Sequence, residues 1–88
     1  MRIQVEISLY PLGVIDVGEV VTTFIQKLDR SGMDVFPGNM STVIGGDLDE
    51  VFATVKAAFE HVGTSHGAAM VLKVSNACPW PSTDSVDS

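Results

Sequence analysis

The sequence predicts an α+β domain with the element order β-α-β-β-α-β. Three observations support this order: residues 3–10 alternate apolar and polar side chains, two segments carry apolar residues at helical spacing, and a second alternating segment follows near residue 70. Alternation places successive side chains on opposite faces of a sheet, whereas a spacing of three to four residues makes one side of a helix apolar. The length of 88 residues leaves room for one such domain.

The first predicted strand has one apolar and one polar side. Its apolar positions are Ile3, Val5, Ile7 and Leu9, and its polar positions are Gln4, Glu6, Ser8 and Tyr10. We expect regular pairing to end at "YPLG", because Pro11 has no amide hydrogen to donate and Gly13 permits a turn. The apolar side must face a core, so the polar side needs another explanation.

Both predicted helices carry start and stop signals. Each begins with a capping box, in which an Asp N-cap is followed three residues later by a Glu: Asp16 with Glu19, and Asp47 with Glu50. An apolar stripe follows each box, and Gly32 or Gly63 closes it, with Gly32 at a position that accepts a left-handed conformation. These signals predict two amphipathic helices.

Three further segments are predicted to be strands. Pro37 interrupts "MDVFPGNM", and because proline cannot donate to a sheet ladder this segment is expected at a sheet edge. "STVIGG" follows as a short third strand, close enough to form a hairpin with it. In the last strand Met70, Leu72 and Val74 share one side, while Lys73 and Ser75 fall on the other.

Right-handed crossovers arrange these elements as a ferredoxin-like fold. The expected sheet is four-stranded and antiparallel, in the order 4-1-3-2, with both helices on one face. The domain would span residues 1–76, and the Pro-, Ser- and Asp-rich segment 77–88 would be a tail. The first strand is then central, and its polar side lies on the face that the helices leave open.

Composition restricts the partners of such a domain. The formal net charge of -6 argues against nucleic acid and against anionic membrane surfaces. No apolar run is long enough to cross a bilayer, and the first residues show the pattern of a strand rather than of a secretory signal. The single cysteine, Cys78, excludes an internal disulfide and suits a reducing compartment, so we expect a cytoplasmic protein.

Catalytic and metal-binding patterns are missing from the sequence. There is no Ser-His-Asp arrangement and no His/Glu cluster with metal-ligand spacing, so we expect neither an enzyme nor a metal or cofactor site. Glu6 has two interpretations, a ligand contact or an ordinary cross-strand ion pair with Lys73. His61 is interpreted as a structural residue, because a histidine at the end of the second helix complements the helix dipole.

Two phrases, "ISLYPLG" and "MSTVIGGDLDEVFATVKAAFEHVG", resemble the thiamine-binding, YkoF-like family of small ferredoxin-fold proteins. The resemblance covers about residues 3 to 75. It implies a non-catalytic protein that binds thiamine or its hydroxymethylpyrimidine moiety, in thiamine salvage or transport. It also implies self-association into a dimer or tetramer through the open sheet face.

The resemblance places Ser8 and Tyr10 of "SLYP", with Ser41 and Thr42 of "MSTV", around the ligand. Met40 joins them as a candidate, with core packing as its alternative role. Glu6 is added from the alternation of the first strand. Since neighbouring strand residues point to opposite faces, the sequence leaves open which of Ser41 and Thr42 faces the ligand.

Two other functions stay open at this stage. One is a structural or regulatory homo-oligomer that senses a different small metabolite. The other is an enzyme that uses Glu6 as a general base.

Overall fold

The computed structural model describes residues 1–29, 32–38 and 41–77. Met40 and most of the expected tail, residues 78–88, lie outside the described residues. The elements follow the predicted order: β1 (Arg2–Leu12), α1 (Val17–Asp29), β2 (Asp34–Pro37), β3 (Thr42–Asp47), α2 (Leu48–Gly63) and β4 (Gly67–Ser75).

The strands form one sheet in the order β2-β3-β1-β4, and every neighbouring pair is antiparallel. This is the predicted ferredoxin-like order, with β1 in the centre. β2 lies at an edge, as expected from Pro37, because an edge strand has one side on which no donor is needed.

β1 is longer than the sequence suggested. Pairing was expected to end at "YPLG", and this prediction is wrong: β1 pairs with β4 through Pro11↔Ala68 and Leu12↔Gly67. On its other side, pairing with β3 stops at Ile7↔Thr42. The last residues of β1 therefore have one neighbouring strand, and a strand with a free side tolerates a proline.

Asp16 and Asp47 act as the predicted N-caps of the two helices. Asp16 Oδ1 accepts a hydrogen bond from the Glu19 amide at 3.0 Å, and Asp47 Oδ2 accepts one from the Asp49 amide at 3.2 Å. These bonds satisfy amide hydrogens that the first helical turn leaves without partners. Gly32 adopts the expected left-handed conformation, with a φ of 83°.

The core lies between the sheet and the helices. Its buried members are Ile3, Val5, Ile7, Val20, Phe24, Leu28, Ile44, Val51, Val55, Ala58 and Val62. All three buried β1 residues are on the predicted apolar side of that strand. The opposite face of the sheet is the one that the helices leave uncovered. Neither α1 nor α2 is long and apolar enough to span a membrane.

Candidate functional site

The register of the sheet places the polar side of β1 in the middle of the open face. Side chains directly opposite each other in an antiparallel pair project to the same face. Glu6 lies between Val43 on β3 and Lys73 on β4. Ser8 lies opposite Val71, and Tyr10 lies opposite Ala69. We call Glu6, Ser8, Tyr10 and Ser41 the polar row.

Glu6 is the best-connected member of the polar row. Its Oε2 accepts a hydrogen bond from the Ser41 hydroxyl at 3.0 Å. Its Oε1 lies 3.5 Å from the Lys73 ammonium. The ion pair is a surface one, with 82% of the Lys73 side chain and 45% of the Glu6 side chain exposed. Such pairs contribute about 0–1 kcal/mol to stability, so the contacts orient Glu6 more than they stabilise the fold.

Ser8 and Tyr10 continue the polar row along β1. Ser8 is half-buried, and 54% of Tyr10 is exposed. At a rise of about 3.3 Å per residue, Glu6 and Tyr10 are about 13 Å apart along the strand. The row is therefore long enough to contact several groups of one small molecule.

Ser41 and Thr42 point to opposite faces. Ser41 reaches Glu6 on the open face, whereas Thr42 lies opposite the core residue Ile7 and is 5% exposed. Of the two hydroxyls suggested by "MSTV", only that of Ser41 joins the polar row. Met40 lies outside the described residues, so its candidate role stays a prediction.

Apolar side chains flank the polar row, and the sequence analysis did not single them out as site residues. Val71 is 58% exposed, and Val43 lies opposite both Glu6 on β1 and Phe36 on β2. The alternation of the last strand could have indicated Val71. The positions of Val43 and Phe36 depend on hairpin register, for which the sequence carried no clear signal.

The polar row is a surface feature in the single chain. The part of the chain that the structure describes forms several pockets that are each lined partly by helix residues, and Glu6, Ser8 and Tyr10 do not line them. His61 and His66, both exposed, line one of these pockets together with Glu19. Within residues 1–29, 32–38 and 41–77, no three His, Cys, Asp or Glu side chains are grouped so that they could hold a metal ion.

The sequence and the fold of this chain match those of known proteins. Residues 2–81 match the YKOF-related family, and this chain belongs to that family. Over 63 residues it is 40% identical to a UPF0045 protein of Synechocystis, covering 70% of this chain and 52% of the relative. The chain thus spans about half the length of that curated relative.

Solved structures share the fold. A hypothetical protein of Methanocaldococcus jannascii superposes with a TM-score of 0.80 at 27% identity, covering 96% of this chain and 89% of that one. A candidate thiamine biosynthesis/salvage protein of Thermotoga maritima gives a TM-score of 0.76 at 23% identity, covering 84% of this chain and 82% of that one.

Proposed function

We propose that this protein binds thiamine or its hydroxymethylpyrimidine moiety without catalysing a reaction, and serves thiamine salvage or transport in the cytoplasm. The observation that carries the proposal is the polar row, with Glu6 held by Ser41 in the middle of the open face. Membership of the YKOF-related family and the likeness to the Thermotoga maritima protein support it.

The chemistry of an aminopyrimidine suits this row. Its exocyclic amine donates hydrogen bonds, its ring nitrogens accept them, and its two faces are apolar. Glu6 would accept from the amine, and the Ser8 hydroxyl would donate to a ring nitrogen. Tyr10 and Val71 would contact the ring faces. The thiazolium cation of thiamine would be attracted by the Glu6 carboxylate.

The existing contacts of Glu6 leave it able to bind. A carboxylate has about four lone-pair sites on its two oxygens, and Ser41 and Lys73 engage one oxygen each. The Ser41 hydrogen bond fixes the direction of the carboxylate before a ligand arrives. Such preorganisation reduces the entropy lost on binding.

Self-association through the open face would enclose the ligand. The polar row lies on an uncovered sheet surface beside the exposed Val71. A second copy laid against this surface would exclude water from the row and strengthen its hydrogen bonds. A dimer or a tetramer would achieve this. The role proposed for this face is thus both ligand contact and subunit contact.

Isothermal titration calorimetry with thiamine, hydroxymethylpyrimidine and thiamine monophosphate tests the proposal. We expect saturable binding of at least one of them by the wild type. Glu6→Gln should weaken it about 10- to 100-fold, since hydrogen bonds to charged groups contribute about 1.5–3 kcal/mol. Ser8→Ala and Tyr10→Ala should weaken it as well, with an unchanged circular dichroism spectrum.

Glu60→Gln is the matched control, because Glu60 is an exposed carboxylate on α2 that also pairs with a lysine, Lys56. It should leave binding unchanged. Absence of heat with all three compounds would contradict the proposal and favour a protein that senses another metabolite. Chemical turnover of the pyrimidine would instead show an enzyme.

A further inference from the structure

β4 is an edge strand with one side that no other described strand pairs. It is nine residues long, Gly67–Ser75, and β1 is its neighbour in the sheet. Natural proteins protect such edges with short strands, prolines, bulges or charges, because a free edge is a template for another strand. β4 contains no proline, and its register against β1 is continuous. Its one charged residue, Lys73, pairs with Glu6 of the same chain.

Pro11 determines which amides of β4 face outward. Residues opposite each other in an antiparallel pair either exchange two hydrogen bonds or exchange none, and the two kinds of pair alternate. Because Pro11 has no N–H, Pro11↔Ala68 is of the second kind. The other pairs of this kind are then Leu9↔Met70, Ile7↔Leu72 and Val5↔Val74. The backbone amides of these β4 residues therefore point away from β1.

We propose that β4 pairs antiparallel with β4 of a second copy, so that two four-stranded sheets join into one continuous sheet. A two-fold axis through Val71 would place Met70 opposite the partner's Leu72, and Ala68 opposite the partner's Val74. This register uses every outward amide of both strands. A register displaced by two residues leaves some of them unpaired, and one displaced by a single residue sets outward amides against inward ones.

The side chains of β4 suit this register. On the open face Val71, which is 58% exposed, would contact the partner's Val71. On the helix side Val74, which is 47% exposed, would be covered by the partner's Ala68. Lys73 would lie opposite the partner's Ala69, so like charges would not face each other. The strand is thus complementary to itself in both hydrogen bonding and charge.

The opposite edge of the sheet is less suited to such pairing. β2 has four residues, begins with the charged Asp34 and ends with Pro37. Short length, charge and proline are the features that protect an edge. The structure therefore favours β4 as the edge that joins two copies.

Edge pairing goes beyond the contact proposed for the open face. A two-fold axis perpendicular to the sheet keeps the helices of both copies on one side and leaves the open face uncovered. Contact through the open face would then join two such pairs into a tetramer. Either contact can exist without the other, so the two can be tested separately.

Amide hydrogen exchange followed by NMR tests the edge pairing. At a free edge the inward amides of Ala69, Val71 and Lys73 are protected, whereas the outward amides of Met70 and Leu72 exchange rapidly. In the joined sheet, Met70 and Leu72 should exchange within about tenfold of these neighbours. Protection that alternates along β4 would overturn the proposal.

A disulfide across the two-fold axis identifies the partner. The two Val71 residues would form a pair without hydrogen bonds, with Cα atoms about 4.5 Å apart, and disulfides join Cα atoms about 4.4–6.8 Å apart. Val71→Cys, in a Cys78→Ser background that removes the single cysteine, should give a covalent dimer on mild oxidation. Ala69→Cys is the matched control, because Ala69 is exposed on the same face of β4 but would lie about 13 Å from its own copy.

The control should stay monomeric on a denaturing gel. Protected amides at Met70 and Leu72 without the Val71→Cys cross-link would show that another segment covers the edge, and would overturn pairing between copies. None of these results decides whether the protein binds thiamine, which calorimetry tests on its own.

Discussion

Neighbouring residues of this chain have different roles because the sheet separates them. Ser41 donates to Glu6 on the open face, and Thr42, one residue later, is buried on the helix side opposite Ile7. The same separation holds along β1, where Val5 is fully buried and Glu6 is exposed. At the residue scale, side-chain direction therefore decides between core and site.

Val5 and Val74 provide a matched test of this separation. They are directly paired across β1 and β4, yet Val5 is 0% exposed and Val74 is 47% exposed. Val5→Ala should lower the free energy of unfolding by about 1.5–3 kcal/mol, because the buried site loses apolar contacts and gains a cavity. Val74→Ala should lower it by less than about 1 kcal/mol.

Urea unfolding followed by circular dichroism measures both changes. Equal losses for the two variants would mean that β4 is covered on this side, which would contradict the exposure of Val74. Both variants replace a valine by alanine within the same pair of strands. The two sites differ in burial, so a difference in stability reports on burial.

At the scale of the elements, a few polar side chains fix where helices begin. Asp47 is both the last residue of β3 and the N-cap of α2, so no loop separates the strand from the helix. Its second oxygen lies 3.4 Å from the Met1 amino group, in an exposed contact of little energy. The cap thus fixes the residue at which the chain passes from β3 into α2.

Replacing the cap should cost stability. Asp47→Ala should lower the free energy of unfolding by about 1 kcal/mol, because the Asp49 amide loses its acceptor. Asp47→Asn keeps an acceptor and should retain most of the stability. Thermal unfolding measures the difference.

Asp49→Ala is the control for charge alone, since it removes a carboxylate from the same helical turn while leaving the Asp47 cap in place. It should have a smaller effect than Asp47→Ala. A loss as large as that of Asp47→Ala would show that charge near the helix dipole, rather than the capping hydrogen bond, is the important contribution.

At the scale of the whole molecule, the two faces of the sheet differ in what covers them. Helices cover one face and build the core. The other face presents the polar row beside exposed apolar side chains such as Val71. A small domain gains relatively little from its own core, so burying a second face against another copy would add stability as well as a site.

Self-association is tested by light scattering on a sizing column. The proposal expects wild type to elute as a dimer or tetramer. Val71→Asp, which places a charge on the open face, should shift it toward monomer. Ile15→Asp introduces the same charge at a fully exposed apolar residue in the loop between β1 and α1, and should leave the assembly unchanged. A monomeric wild type would contradict the subunit contact while leaving ligand binding to be judged by calorimetry.

The sequence by itself determined the order of the elements, the strand order of the sheet, the helix caps and the side of β1 that faces the core. These depend on periodicity and on short-range hydrogen bonds, which a linear pattern records. It also pointed to Glu6, Ser8 and Tyr10 as neighbours on one face, because they are two residues apart on one strand.

Only the tertiary structure decided which of Ser41 and Thr42 joins them, how far β1 extends past Pro11, and that Val43 and Phe36 lie beside each other. These features depend on pairing register and on contacts between residues distant in the chain. A shift of one residue in register exchanges the faces of a strand without changing its pattern, so no local signal could have fixed them.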